Sequence, residues 1–400
     1  MAKLTDVVII GAGASGLMCA AAAGYRGRKV CVIDHSSSPG KKILMSGGGR
    51  CNFTNRMVSA DQYLCSNPHF CKSALSRFTP DDFLALIQKY GIAFHEREHG
   101  QLFCNDNASD ILDMLVTECD RAGVERIINV PVESVRAVSP QEGGDSSRFQ
   151  VKIAGRTIRA QSVVIATGGV SIPGSGSSPF GYKLAEQFGI RVLSPRPGLV
   201  PFTLAREDKD RFSGLSGVSV DARICVGKIS FTEKLLFTHR GLSGPVVLQI
   251  SSYWNPGEII TINFLPHTDI FEILKSEQMQ YPKKHVKSVL VQNLPRRLVE
   301  TLFKPDVTDQ PVSALSHAVF RQISDALTAC EIKPGGTEGY RTAEVTVGGV
   351  DCNAISSKTM ESRQVPGLYF IGEVLDVTGM LGGYNLQWAW SSGFCAGQHV

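Results

Sequence analysis

One stretch near the start of the chain constrains everything that follows. Val7-Val8-Ile9-Ile10 is an apolar run of strand type, Gly11-Ala12-Gly13-Ala14-Ser15-Gly16 is a G-x-G-x-x-G turn, and the small-residue run from Leu17 to Gly24 opens a helix. Each glycine has a mechanical task in such a turn. Gly11 permits the tight bend, Gly13 lets backbone approach a pyrophosphate, and Gly16 lets the helix sit against the strand. A pyrophosphate there meets free N–H groups at a helix N-terminus, where the dipole favours an anion. A second strand, Lys29-Val30-Cys31-Val32-Ile33, ends in Asp34, which lies 18 residues past Gly16. That spacing suits a carboxylate that holds a ribose.

Asp34 also selects among dinucleotides. A carboxylate accepts hydrogen bonds from ribose hydroxyls, each contributing roughly 1.5–3 kcal/mol when charge-assisted. Facing a 2′-phosphate at about 4 Å, it would be repelled by about 4 kcal/mol at an effective dielectric near 20. FAD or NAD therefore fits this site and NADP does not.

A chain of 400 residues is too long for one compact core, so two or three domains are expected. Hydrophobic content of 43% and a net charge of +4 describe an ordinary globular chain and single out no polyanionic partner. The eleven cysteines form no C-x-x-C pair and no zinc-type cluster, so no metal site is expected and a reducing cytoplasm is. Lys3 followed by apolar residues up to Cys19 imitates a leader, but Asp6 interrupts it and Met18 is too bulky for a cleavage site. No apolar run approaches the roughly 18 residues of a membrane span.

Residues 1–35 read as β-α-β, and 36–56 as a loop carrying Lys41-Lys42 and Ser46-Gly47-Gly48-Gly49-Arg50-Cys51-Asn52. Helices are expected at 80–91, 107–122 and 180–188, and strands at 130–138 and 149–153, with a turn at 142–147 between the two strands. The buried strand Val163-Val164-Ile165 enters the turn Ala166-Thr167-Gly168-Gly169. After Pro195-Arg196-Pro197-Gly198 the pattern changes to short alternating runs, as in an antiparallel sheet or small barrel, and from 268 to helical spacing. The αβ pattern returns at Leu368-Tyr369-Phe370-Ile371. The expected fold is α/β: a Rossmann-like FAD-binding domain (1–194 and 342–400), an inserted β-barrel-like domain (195–267) and a small helical domain (268–341).

The C-terminal segment supplies the second half of a cofactor site. A strand ends at Gly372-Glu373, and Gly382-Gly383-Tyr384 opens a last helix expected from Asn385 to Gly393. The start of that helix suits the pyrimidine edge of a flavin, whose reduced form carries negative charge that helix N–H groups stabilise. In the loop at 46–52, glycine N–H groups and the Arg50 fork suit phosphate or flavin carbonyls. Cys51 has no cysteine four residues along, so a packing or cofactor-contact role is expected of it rather than redox chemistry.

Gly-Ala-Gly-Ala-Ser-Gly, Ser46-Gly-Gly-Gly-Arg-Cys-Asn52, Ala166-Thr-Gly-Gly169, Thr238-His-Arg-Gly-Leu-Ser-Gly-Pro245, Thr346-Val-Gly-Gly-Val350 and Gly382-Gly-Tyr-Asn-Leu-Gln387 together resemble the BaiN/YhiN-type bacterial flavoproteins. The resemblance spans almost the whole chain. It implies noncovalent FAD held by Ser15, Asp34, Lys42, Gly48, Arg50, Cys51, Glu373, Asn385 and Leu386, with the backbone of Val132 at the adenine. The family usually has Glu where this chain has Asp34. The resemblance further implies oxidoreductase activity, linked in some relatives to reduction of conjugated steroid enones and in others to amine oxidation.

His239, in the turn Thr238-His239-Arg240-Gly241, is the acid–base candidate, since enone reduction needs a proton beside the hydride site. It fits equally a hydrogen-bonded turn that positions a helix through Ser243 or Thr238. Lys283-Lys284-His285 with Lys287, Arg296 and Arg297 is a basic cluster, but aromatic interleaving is sparse. A solvated helix face is therefore expected over a nucleic-acid surface. Gly174-Ser175-Gly176 lacks the strand and third glycine of a second dinucleotide loop, so NAD(P)H is expected only as a transient donor. The expectation is an FAD-dependent oxidoreductase acting on a small molecule through flavin N5. The alternatives are an amine oxidase, and an RNA-interacting or redox-sensing flavoprotein without turnover.

Overall fold

Val7, Val8, Ile9 and Ile10 are buried on both faces of their strand, as a central parallel strand requires. In the computed structural model, which describes residues 3–138 and 146–400, they belong to β1 (Lys3–Ile10). The turn expected at 142–147 falls, for residues 142–145, outside the described residues. β1 leads into α1 (Ala14–Tyr25) and then β2 (Val30–Asp34). From Ser15 to Ala23 every residue of α1 is buried, so this helix of small side chains is covered on all sides rather than amphipathic.

By internal contacts the chain divides into two units, Met1–Arg196 with Val345–Val400, and Pro197–Glu344. In the first, Glu125–Ile128, β2, β1 and Arg156–Ile165 run side by side and parallel. On its edge away from β1, the strand Arg156–Ile165 is shared between two pairings. Its first half pairs antiparallel with Phe149–Ile153, and Val163, Val164 and Ile165 pair parallel with Leu368–Phe370. Val132–Ala137 completes the antiparallel edge. Strand order reverses at β1, and at such a switch point a crevice opens beyond the carboxyl ends of the strands.

In the second unit a seven-stranded sheet, antiparallel at every pairing, runs in the order Cys330–Ile332, Ile260–Asn263, Ser219–Val226, Ile229–Phe237, Gly241–Ser243, Phe202–Leu204, Pro334–Thr337. Its first and last strands are separated in the chain by Lys333 alone, so the sheet must curl back on itself as a barrel does. Ile270, Leu274, Val286, Leu298 and Phe320 of the helical stretch share one core with Ile224 and Phe237 of the sheet.

Three expectations about elements are corrected. The loop at 36–56 contains the helix Lys41–Met45 and the strand Asn52–Asn55, which pairs with Gln101–Cys104. Such short pieces are stabilised by distant partners and leave little periodicity. The helical stretch after 268 ends in two strands, Cys330–Ile332 and Pro334–Thr337, which join the sheet. The last helix runs Tyr384–Gly397 and passes through Gly393, which is no stop signal here. A side chain at Gly393 would meet the Ser15 carbonyl oxygen at 2.4 Å, so that glycine serves the close packing of this helix on α1.

A candidate dinucleotide site at the sheet's switch point

The turn after β1 is built as its glycines require. Gly11 has φ +115°, and a Cβ on it would stand 2.3 Å from the Ala166 carbonyl oxygen. A Cβ on Gly16 would stand 1.9 Å from the Gly11 carbonyl oxygen, so α1 starts directly against the turn. Gly13 differs: a Cβ there would meet nothing within 4 Å. Packing leaves that position open, as a turn reserved for a ligand would be. Ala14 and Ser15 open the helix, whose first-turn N–H groups have no partner within it.

Asp34 closes one side. One of its oxygens accepts the Ala12 N–H at 2.7 Å and the other the Ser36 N–H at 2.7 Å. Val130 N–H donates to the Asp34 carbonyl at 3.0 Å, which brings the segment leading to Val132 beside the end of β2. Each carboxylate oxygen keeps a lone pair for a ribose hydroxyl.

On the other side stands a network that spacing alone does not disclose. Lys42 Nζ lies 2.7 Å from Glu373 Oε2 and donates to Ser171 Oγ at 2.7 Å. Glu373 Oε1 accepts from Ser171 Oγ at 3.0 Å and from the Thr346 N–H at 2.9 Å. Thr346 Oγ1 accepts from the N–H groups of Val170 and Ser171. Burial drives the Glu373 pKa up, but Lys42 and the hydrogen bonds outweigh it and hold the carboxyl below its ordinary value. Ser171 and Thr346 were not among the expected site residues. Thr346 is fully buried at the second position of the apolar strand Val345–Val350, which only the fold discloses.

The C-terminal helix holds Gly372 by both backbone groups: the Gly372 N–H donates to Ser392 Oγ at 3.0 Å and the Trp388 indole donates to its carbonyl at 3.1 Å. Asn385 accepts from the Gly379 N–H at 2.8 Å and donates to the Gly379 carbonyl at 2.9 Å, so its side chain braces the preceding loop. Half-buried Leu386 follows it. With its amide turned to suit its neighbours, Asn52 accepts from the Gly383 N–H at 3.1 Å, which ties the glycine loop to the start of that helix.

In the loop itself, Gly47 and Gly48 are left-handed (φ 58° and 66°), and Gly47, Gly48 and Arg50 are exposed. Gly49 and Lys41 are half-buried. Ser46 Oγ donates to the Ile43 carbonyl at 2.7 Å. Burial pushes the Cys51 thiol up to about 12 despite a lowering hydrogen bond from Ser46. That thiol is protonated and poorly nucleophilic near neutral pH. Thr167, beside Gly168, has a buried hydroxyl with no hydrogen-bond partner. His239 lies apart from this group in the chain, exposed in the turn between Ile229–Phe237 and Gly241–Ser243 of the middle unit.

The residues present fit a flavin dinucleotide: an open position at Gly13, ribose-binding capacity at Asp34, and a second helix start at Gly383. Fold and site define an FAD-binding, Rossmann-type oxidoreductase. The chain belongs to the family described as HI0933-like protein Rossmann domain, which matches residues 5–399. It is 53% identical, over 99% of its length and 98% of the relative's, to the ribosomal RNA dihydrouridine synthase of Escherichia coli. It is 31% identical, over 99% and 98%, to the 3-dehydro-bile acid delta(4,6)-reductase of Clostridium scindens. Among solved structures, the 3-ketosteroid-delta4-(5alpha)-dehydrogenase of Rhodococcus jostii shares the fold at TM-score 0.50 and 12% identity, over 99% of this chain and 97% of that one. Among the described residues, no helix is long and apolar enough to cross a membrane.

Proposed function

We propose that this protein is an FAD-dependent reductase that saturates the C5–C6 double bond of a uridine in ribosomal RNA. The observation that carries it is 53% identity, across nearly the whole of both chains, to a relative named for that reaction. Chemistry supports it as well. The uracil C5–C6 bond is conjugated with the C4 carbonyl, so it belongs to the conjugated-enone class that the family resemblance implies. The bile-acid reductase is, by its name, a reductase too. RNA then takes the place of the small molecule as substrate.

FAD, when bound, supplies the hydride to the carbon β to the carbonyl. The protein's residues do the rest. The glycine turn and Asp34 hold the dinucleotide, the Lys42–Glu373 pair braces Ser171 and Thr346, Ser392 and Trp388 fix the Gly372 backbone, and Asn385 braces the loop before the last helix. His239 is our proposed proton donor to the α carbon. NAD(P)H is the proposed transient donor that restores the reduced cofactor. The balance is uridine plus NAD(P)H plus a proton, giving dihydrouridine plus NAD(P)⁺. A ribosomal RNA substrate places the protein in the cytoplasm, which suits eleven free cysteines.

The test is anaerobic. The holoprotein is reduced with NADH or NADPH, then mixed with ribosomal RNA from cells lacking this protein. Return of the oxidised flavin spectrum together with dihydrouridine in the RNA is the expected result. Return with a steroid enone but not with RNA overturns the RNA reading, and peroxide release with amines would make the protein an oxidase.

A further inference from the structure

We propose that the surface around Tyr281, on the middle unit, is a docking face for unpaired RNA nucleotides; this rests on the RNA reading above and names where the substrate is gripped. Three large apolar side chains are exposed close together in sequence: Met279 (78% exposed), Tyr281 (59%) and Val291 (37%). Tyr281, Pro282, Lys283 and Lys284 line an open concavity of about 580 Å³. An exposed aromatic ring flanked by lysines offers a single strand both a stacking surface and phosphate contacts.

Here the charges are positive. Residues 277–300 hold five Lys or Arg (Lys283, Lys284, Lys287, Arg296, Arg297) against two acids (Glu277, Glu300), a balance of +3 where the whole chain carries +4. The two acids pair with three of the five cations and leave Lys283 and Arg297 outside those pairs. Glu277 is taken by Lys284 at 2.8 Å, and Glu300 is shared by Lys287 and Arg296 at 2.6 and 2.8 Å. Arg297 donates to the backbone carbonyl of Gly214 and has no ion-pair partner among the described residues. Lys283 is exposed and has no ion-pair partner among the described residues.

The loop is also held in place. The Val312 N–H donates to the Lys284 carbonyl at 2.8 Å, the Ser313 N–H to the Pro282 carbonyl at 3.1 Å, and the Val286 N–H to the Gln310 carbonyl at 3.0 Å. Lys284 Nζ lies over one face of the Tyr281 ring, 5.8 Å from its centroid, and with the ring 59% exposed a base would stack on the opposite face. A fixed exposed aromatic beside cations is the arrangement that stacks a base while binding its phosphates. Of the occupants a positive, aromatic face suits, unpaired RNA is the one that matches both features.

The holoprotein is titrated with labelled single-stranded oligouridylate over a range of salt. Tyr281→Ala should weaken binding about tenfold. Lys283→Ala should reduce the slope of log affinity against log salt by about 0.7, the loss of one phosphate contact on a single strand. Both variants should keep the wild-type flavin spectrum and melting temperature and lose dihydrouridine formation at limiting RNA. Variants that bind and modify RNA like the wild type overturn this docking face and leave the RNA-reductase reading standing. A wild type that neither binds oligouridylate nor modifies ribosomal RNA overturns both. Binding to phosphatidylglycerol vesicles in place of RNA, lost in the variants, assigns the face to a lipid surface and overturns the proposal.

Discussion

Both oxygens of Asp34 accept backbone N–H groups, so this carboxylate shapes its own turn before any ribose arrives. Asp34→Ala removes both services. Charge-assisted hydrogen bonds of roughly 1.5–3 kcal/mol predict a loss of about 10- to 100-fold in FAD affinity, read by flavin fluorescence on the apoprotein. Asp34→Glu should retain most of it, and equal affinity in the alanine variant would deny the residue its role. The Lys42–Glu373 pair makes a different prediction. Lys42→Met leaves the half-buried Glu373 without its cation, which costs about 1–3 kcal/mol because the Ser171 and Thr346 hydrogen bonds remain. The sign with pH follows from the lowered Glu373 value. Its contribution is complete above the ordinary carboxyl value of 4.5 and is lost as pH falls through the lowered folded value. Urea unfolding across that range should show the acid-sensitive part in the wild type and its absence in Glu373→Gln. The tight turn at Gly11 and the place of Asp34 at the end of β2 were legible in the sequence because they are local and their spacing is fixed. Ser171 and Thr346 were not, because their hydrogen-bond partners lie up to 202 residues away. The exposure of Tyr281 was equally invisible, since a lone aromatic in a helical stretch reads as core.

At the scale of elements, two glycines of one turn answer to different physics. A Cβ at Gly16 collides with backbone and a Cβ at Gly13 meets open space. Gly16→Ala should therefore lower the melting temperature of the apoprotein, whereas Gly13→Ala should leave it unchanged and reduce flavin content on purification. If both variants melt like the wild type, the close packing of α1 on its turn is wrong. The β-α-β unit was legible because period, turn and capping signals agree over one short stretch. The strand Asn52–Asn55 was not, because its sheet is assembled from Gln101–Cys104 and Phe94–Glu96. The last helix was cut short for a related reason: glycine usually ends a helix, and only the packed structure shows Gly393 and Gly397 facing α1.

For the molecule as a whole, the first unit draws on residues before 197 and after 344. Its sheet takes the strand Leu368–Phe370, and its α1 is covered by the helix Tyr384–Gly397. Truncation before Tyr384 should abolish FAD binding and leave an aggregating product, as seen by flavin absorbance and light scattering. A truncated chain that still takes up FAD would refute the shared site. In the intact protein, FAD at a hundredfold excess over its dissociation constant should add about 2.7 kcal/mol of stability. The order of synthesis gives this shared construction a consequence in time. The ribosome releases the glycine turn early and the closing strand and helix tens of seconds later, at roughly 5–20 residues per second. Until then the nascent chain lacks the segments the proposed site needs, so copies terminated before Tyr384 should emerge colourless.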